Sequence, residues 1–192
     1  MADHVERRRQ VCEIAANIIA RKGVEGITFR NVAREANCSM RIVSHYFKNK
    51  RDLLLQTFRE FSNRSLEEGE EAINSGLDLR SALERLLPMD RQRRLNWQVW
   101  LAFWGTIASD REFIAEQRLR SRQIAELIER MLVRTVGATA TPGMDWKFES
   151  ERIVTLIVGV ATQSLFDPRK WTPDKQREHL VKELRAIGSL SK

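Results

Sequence analysis

The stretch from Ser39 to Phe47 gathers most of the side chains that could bind another molecule. It reads SMRIVSHYF and places hydroxyl, guanidinium and imidazole groups among apolar residues. An arginine can donate two hydrogen bonds to one planar acceptor, and serine and histidine can both donate and accept. Val43 and Phe47 lie four residues apart, so they can share one buried face of a helix. The pattern indicates a short helix with one apolar face and one hydrogen-bonding face.

The residues before this stretch place it in a compact N-terminal head. A first helix is predicted over residues 5–21 and ends before Gly23, and Thr28 is the N-cap of a second helix over residues 29–35. Asn37 tolerates the positive φ of a tight turn between the second helix and the third. Two short helices joined in this way form a helix-turn-helix, whose second helix can enter the major groove of DNA.

In that geometry the outward face of the third helix meets the bases, and its flanks meet the sugar-phosphate backbone. The residues predicted to face the bases are Met40, Arg41, Ser44 and His45. The residues predicted to hold phosphates are Thr28, Ser39, Tyr46, Lys48 and Lys50. Simpler alternatives stay open for some of them: Arg41 as a solvated charge, Met40 as a bystander, and Tyr46 as a core aromatic.

Net charge points to the same part of the chain. The protein carries +7 overall, and residues 1–60 hold 12 Lys and Arg against 7 Asp and Glu, which gives +5. A basic segment on a nearly neutral remainder indicates a polyanion such as double-stranded DNA as the partner. A solvated basic face is the plain alternative.

Helix signals continue to the end of the chain, and strand signals are rare. There is no sustained period-2 alternation and no Asn-Gly or Asp-Gly hairpin turn. We therefore predict an all-α fold of about nine helices, with an N-terminal three-helix head and a larger helical body. The predicted domains are residues 1–50, with the helix-turn-helix at about 28–47, and residues 51–192. Ser109 is predicted to open a capping box, and GATATPG at 137–143 is predicted to be a loop.

Trp97, Trp100 and Trp104 share one predicted helix face, since they lie at positions i, i+3 and i+7. A core stripe is the common meaning of such spacing. Three of the five tryptophans fall within these eight residues, however, and each carries an N–H group that needs a partner when it is buried. An aromatic cage for a quaternary ammonium ligand is therefore the functional alternative.

The helix predicted over residues 148–166 is too apolar for the outer helix of a monomer. It and the helix that begins at Pro173 are the predicted dimer contacts, with Gly159 allowing close approach. The predicted interface residues are Ile153, Leu156, Ile157, Val160 and Leu165. The alternative is that these residues form the core of the body.

Several classes of protein are disfavoured. The sequence has no paired acid and base, nucleophile constellation or phosphate-binding loop, so we do not expect an enzyme. Two cysteines and three histidines lie without metal-ligand spacing, and we expect no metal or other cofactor. No apolar run approaches the roughly 20 residues that span a bilayer, and no signal segment opens the chain, so a cytoplasmic location is expected.

Over residues 8–60, a helix, a glycine, a Thr-capped helix, a turn and then S…HYFKNK…LL together resemble the TetR family of transcriptional regulators. IVSHYF at 42–47 and WLAFW at 100–104 are similar to its BetI-type, choline-responsive branch. The chain departs from the usual family pattern at three positions: Asn37 replaces a glycine, Arg41 replaces a residue that is often small, and Ser44 replaces a tyrosine.

The resemblance implies a homodimeric repressor that binds an operator through its head. A small molecule bound in the body would release it from DNA, and choline or another quaternary ammonium is the ligand that the branch suggests. Two alternatives remain: a helical DNA-binding dimer that binds no small molecule, and a TetR-type activator.

Overall fold

The structure, a computed structural model, describes residues 2–107, 110–136 and 143–188. These residues form nine α-helices and one 3₁₀ turn at Val24–Gly26, with no strand, so the all-α prediction is confirmed. The helices are α1 Ala2–Lys22, α2 Phe29–Glu35, α3 Met40–Tyr46, α4 Lys50–Asn74, α5 Leu79–Glu84, α6 Arg91–Ile107, α7 Arg111–Val136, α8 Trp146–Phe166 and α9 Pro173–Ala186. The predicted Ser109 cap and residues 137–142 of the predicted loop lie outside the described residues.

The chain is divided into two compact units. The first comprises residues 1–63 and 98–116, and is therefore larger than the predicted head at 1–50. Its core joins the inward faces of α1, α2 and α3 to the first half of α4 and to aromatic residues of α6 and α7. The largest side chains buried in this core are Ile18, Ile19, Ile27, Phe47, Leu53, Phe58, Phe103 and Phe113.

The second unit comprises residues 64–97 and 117–192. Its core is formed by aliphatic side chains of α5, α7, α8 and α9, among them Leu83, Leu127, Ile128, Ile153, Leu180 and Leu184. Gly69 marks the close approach of α4 and α7 within this unit, because a Cβ there would collide with the side chain of Leu127. No helix in the described part of the chain is both long and apolar enough to cross a membrane.

Candidate nucleic-acid interface

Local hydrogen bonds hold α2 and α3 in a helix-turn-helix. Thr28 Oγ1 accepts the backbone N–H of Asn31 at 3.1 Å, which caps α2 as predicted. Ser39 Oγ caps α3 by accepting the N–H of Ile42 at 3.4 Å. Asn37 has φ +48°, the left-handed conformation that the turn requires and that asparagine tolerates. The sequence at the turn therefore fixes the direction in which α3 leaves it.

The apolar face of α3 is anchored in the core of the first unit. Val43 and Phe47 are 0% and 1% exposed, so the prediction that they point inward is confirmed. Tyr46 is half-buried and packs against the same core, with its ring 5.3 Å from that of His45 in an edge-to-face arrangement. Tyr46 therefore makes the core contact that the alternative interpretation predicted. Its side chain is still partly exposed, so it could also reach a phosphate.

The opposite face of α3 is open to solvent. Its exposed residues include the predicted base contacts Met40, Arg41, Ser44 and His45. Met40 is 51% exposed, which is unusual for a large apolar side chain and suits contact with a thymine methyl group. Ser44 Oγ donates to the carbonyl of Arg41 at 3.1 Å, so in this conformation its lone pairs remain as acceptors toward a base.

Both lysines that follow α3 have partly or fully exposed side chains. Asn49 Oδ1 accepts the N–H of Asp52, and Asp52 Oδ2 accepts the N–H of Lys48, each at 2.9 Å, so the start of α4 is capped reciprocally. The ammonium of Lys50 lies 3.7 Å from the carboxylate of Glu25, which is 97% exposed. A phosphate bound by Lys50, as the sequence predicts, would have to compete with this solvent-screened pair.

One residue of this surface was missed by the sequence reasoning. Arg7 of α1 lines a concavity of about 500 Å³ whose other lining residues lie between Ser39 and Tyr46. The run of three arginines at 7–9 was a signal of positive charge, but the sequence does not say which of the three lies beside α3.

Other arginines of the first unit are neutralised by carboxylates. Arg51 of α4 donates to both carboxylate oxygens of Asp110 at 2.7 and 2.9 Å and also pairs with Glu112 at 2.8 Å. Arg59 donates to Glu116, which is only 8% exposed, at 2.9 Å. The hydrogen bond from Arg51 lowers the pKa of Asp110 to about 2. These pairs join α4 to the start of α7 within the unit.

Trp97, Trp100 and Trp104 lie on α6 as predicted, and they do not all belong to the same compact unit. Trp97 belongs to the second unit, where its indole N–H donates to the carbonyl of Leu86 at 2.8 Å. Trp100 and Trp104 belong to the first unit, with ring centroids 6.4 Å apart. Trp100 also packs edge to face on Phe58, 5.0 Å away. These contacts are those expected of core residues, and the ligand-binding role of all three stays a prediction.

The second unit has an open groove between α4 and α7. Its volume is about 660 Å³, and its walls combine Leu66 and Val133 with five charged side chains and Gln123. Glu70 is paired with Arg130 there, while Glu126 and Glu129 contribute further carboxylates. The groove could therefore hold a polar molecule, and none of the three tryptophans of the stripe lines it.

The residues predicted for the dimer interface differ in how deeply they are buried within the single chain. Ile153, Ile157 and Val160 are 0%, 5% and 4% exposed within the single chain, so they pack in its own core and leave almost no surface for a partner. This is the alternative that the apolar pattern left open. Leu156 and Leu165 are half-buried. Of the predicted interface residues, only these two keep appreciable surface, and their dimer role stays a prediction.

The described side chains contain no group of three or more His, Cys, Asp or Glu that could hold a metal ion. Burial raises the pKa of the Cys12 thiol to about 12, which keeps it protonated and unreactive at neutral pH.

Comparison with protein families places these features in a known context. Residues 78–189, more than half of the chain, match the family described as BetI-type transcriptional repressor, C-terminal. The chain belongs to this family. Residues 12–57 match the family described as bacterial regulatory proteins, tetR family, and include the whole helix-turn-helix. The protein is a TetR-type transcriptional regulator and not an enzyme.

Individual relatives agree with this assignment. The chain is 25% identical to the HTH-type transcriptional regulator PksA of Bacillus subtilis over 96% of its length and 91% of the relative. It is also 25% identical to the regulator BetI of Vibrio parahaemolyticus over 93% of its length and 92% of the relative. Both matches extend through the head and the body of the TetR-type regulator.

A solved structure has the same fold. A transcriptional regulator from Saccharomonospora viridis, crystallised in complex with choline, superimposes with a TM-score of 0.82 at 24% identity. The match covers 94% of this chain and 96% of that one.

Proposed function

We propose that this TetR-type regulator is a repressor that binds operator DNA as a homodimer through α3 and is released by a small organic cation. The observation that carries the DNA-binding part is the exposed polar face of α3. Arg41, Ser44 and His45 point to solvent from a helix whose other face is anchored by Val43 and Phe47. The expected compartment is the cytoplasm, where bacterial operators are found.

The side chains suggest how bases are distinguished. Arg41 can donate two hydrogen bonds to O6 and N7 of a guanine. Ser44, whose hydroxyl proton is directed to the carbonyl of Arg41, can accept from the amino group of cytosine or adenine. Thr28, Ser39, Tyr46, Lys48 and Lys50 are proposed to bind phosphates and to set the register of α3 in the groove.

The experiment is selection of duplexes from a random DNA library by the purified protein, followed by fluorescence anisotropy. We expect the selected duplex to contain two half-sites related by a two-fold axis, because a symmetric dimer presents two copies of α3. If selected and scrambled duplexes bind equally well at physiological salt, the proposal is wrong.

The dimer is proposed to form through the outward face of α8. Phe148 and Phe166 are 57% and 71% exposed near the two ends of this helix, and Gly159 lies between them. Exposed phenylalanines at both ends of one helix indicate a covered surface in the functional protein. The exposed face is therefore a better candidate than the buried Ile153, Ile157 and Val160 of the sequence prediction.

A single substitution tests the dimer. A Cβ at Gly159 would meet no atom of the described residues within 4 Å, so the protomer leaves room for a side chain there and Gly159→Leu is expected to obstruct a partner helix. Gly105 of α6 has the same free space and provides the control variant Gly105→Leu. Sedimentation velocity should show a dimer for the wild type and the control, and a monomer for Gly159→Leu. A monomeric wild-type protein would contradict the proposal.

The proposed ligand is a quaternary ammonium compound bound by the aromatic faces on α6. Trp100 and Trp104 are half-buried indoles inclined at 52° to each other, and indole faces attract cations more strongly than other aromatic rings do. The choline in the Saccharomonospora structure motivates the choice of ligand. Trp97 remains a third candidate of the same stripe.

Choline and its neutral isostere 3,3-dimethylbutan-1-ol form a matched pair for this test, since they differ mainly in charge. Choline should raise the melting temperature and dissociate the selected duplex, and the isostere should do neither. Trp104→Leu should abolish the response to choline, whereas Glu129→Gln in the groove between α4 and α7 should preserve it. Equal responses to both compounds would rule out recognition of the cation.

A further inference from the structure

We propose that Arg7 of α1 is part of the DNA interface and binds a backbone phosphate beside the major groove that α3 enters. This inference rests on the proposed function and adds to it a contact from a helix outside the helix-turn-helix. Neither the helix-turn-helix pattern nor the predicted DNA contacts include this position.

The first support is the place of Arg7 in the fold. It lines the concavity of about 500 Å³ next to α3, and the other described lining residues come from the turn and α3 themselves. Arg41, Ser44 and His45, the proposed base contacts, are among these lining residues. A guanidinium at this position lies on the flank of the base-contacting face, where the phosphates bordering the groove pass.

The second support is the charge of the concavity. Its described lining residues provide the guanidinium groups of Arg7 and Arg41 and the hydroxyls of Ser39, Ser44 and Tyr46, and none of them is a carboxylate. Hydrogen-bond donors together with positive charge suit a phosphate group, and an arginine can bind two phosphate oxygens at once. A cationic ligand finds no complementary negative charge on the described lining residues.

The third support comes from the two neighbouring arginines. Arg9 pairs with Glu13 one turn along α1, and Arg8 donates to Gln56 of α4. Among the described side chains, Arg7 makes only one bond, from its guanidinium to the amide oxygen of Gln10 at 3.2 Å. A neutral amide neutralises no charge, so this guanidinium can exchange its partner for a phosphate with little electrostatic loss.

Salt-dependent binding of the selected duplex tests the inference, with Arg9→Ala as the matched control. Arg7→Ala should weaken binding about fivefold to tenfold at low salt. It should also reduce the magnitude of the slope of log K against log[KCl] by about 1.8 for the dimer, since each of its two Arg7 side chains contributes about 0.9 per phosphate. Arg7→Lys should keep the wild-type slope, because a lysine still neutralises one phosphate. Arg9→Ala should change neither quantity.

Since a phosphate contact carries no sequence information, Arg7→Ala should weaken binding to selected and scrambled duplexes by the same factor. A wild-type slope for Arg7→Ala, or an altered base preference in a second selection with this variant, would overturn the inference. Circular dichroism and the melting temperature of each variant show whether it is folded, and Arg7→Lys provides the charge-retaining comparison.

Failure of this inference is distinct from failure of the proposed function. If the wild type prefers the selected duplex and Arg41→Ala loses that preference, DNA recognition by α3 stands whatever Arg7 does. If the wild type shows no preference, the proposed function itself is wrong.

Discussion

Arg41 and Arg51 are close in sequence and both are exposed to solvent, yet their surroundings are opposite. In the part of the chain that the structure describes, the guanidinium of Arg41 has no carboxylate partner. That of Arg51 is held by Asp110 and Glu112. Arg7 and Arg59 differ in the same way: Arg7 donates to the neutral amide of Gln10, whereas Arg59 pairs with the nearly buried carboxylate of Glu116. Among the described residues, no carboxylate holds Arg7 or Arg41, whereas the ion pairs of Arg51 and Arg59 stabilise the unit from within.

The largest effect is expected from removing a paired arginine. Arg59→Ala should lower the free energy of unfolding by about 2 kcal/mol, because it removes a charged hydrogen bond to the nearly buried Glu116 carboxylate. Arg59 is itself 35% exposed, which keeps the loss below that of a fully buried pair. Urea unfolding followed by circular dichroism measures this. In a Glu116→Gln background the same change should cost much less, and an equal cost in both backgrounds would show that the pair is not responsible.

The matching change on the α3 side should affect DNA binding and leave stability alone. Arg41→Ala is expected to reduce affinity for the selected duplex about tenfold, since a bidentate arginine–guanine contact contributes about 1–3 kcal/mol of discrimination. A second selection with the variant should lose preference at one base pair per half-site. Anisotropy titrations measure the affinity for DNA, and urea unfolding measures the stability. A normal base preference together with a lowered stability would show that Arg41 has a structural role instead.

A smaller, pH-dependent effect is expected for Asp110→Asn. The hydrogen bond from Arg51 lowers the pKa of Asp110 from 3.8 to about 2. A carboxylate with a lowered pKa stabilises the folded state above its ordinary pKa, and this contribution is lost as pH falls from about 4 toward 2. The variant should therefore be less stable than the wild type at pH 7, by less than Arg59→Ala is. The difference should shrink toward pH 2, and a pH-independent difference would contradict the linkage.

The smallest effect concerns Lys50, a predicted phosphate contact whose ammonium lies beside the carboxylate of Glu25. Glu25→Gln removes that carboxylate, so the affinity for DNA should rise about twofold, in keeping with the low value of exposed ion pairs. The gain should disappear at high salt and in a Lys50→Ala background. A gain that persists without Lys50 would point to a general charge effect and not to this pair.

Much of the fold could be predicted because its signals are local. The cap at Thr28 and the positive φ of Asn37 involve residues only a few positions apart, and each was predicted from residue type. The exposed face of α3 follows in the same way from the four-residue spacing of Val43 and Phe47. Short-range geometry of this kind depends little on the rest of the chain.

Periodicity was less informative where a helix is apolar on more than one face. In α8 it could not distinguish residues that pack in the chain's own core from residues that would meet a partner. Burial assigns Ile153, Ile157 and Val160 to the core and leaves Phe148 and Phe166 exposed. Likewise, the spacing of the tryptophans placed them on one face of α6 but did not reveal that Trp97 donates to Leu86 or that Trp100 packs on Phe58.

The sequence by itself determined the all-α fold, the turn before α3, and which side chains α3 presents to solvent. Only the tertiary structure decided which positive charges are neutralised. The partners of Arg51 and Arg59 lie 59 and 57 residues away along the chain, and Arg7 reaches the concavity beside α3 through the packing of α1. A guanidinium that is held by a nearby carboxylate is unavailable to DNA, and one without such a partner is available. Long-range packing of the helices decides which carboxylates come within hydrogen-bonding distance.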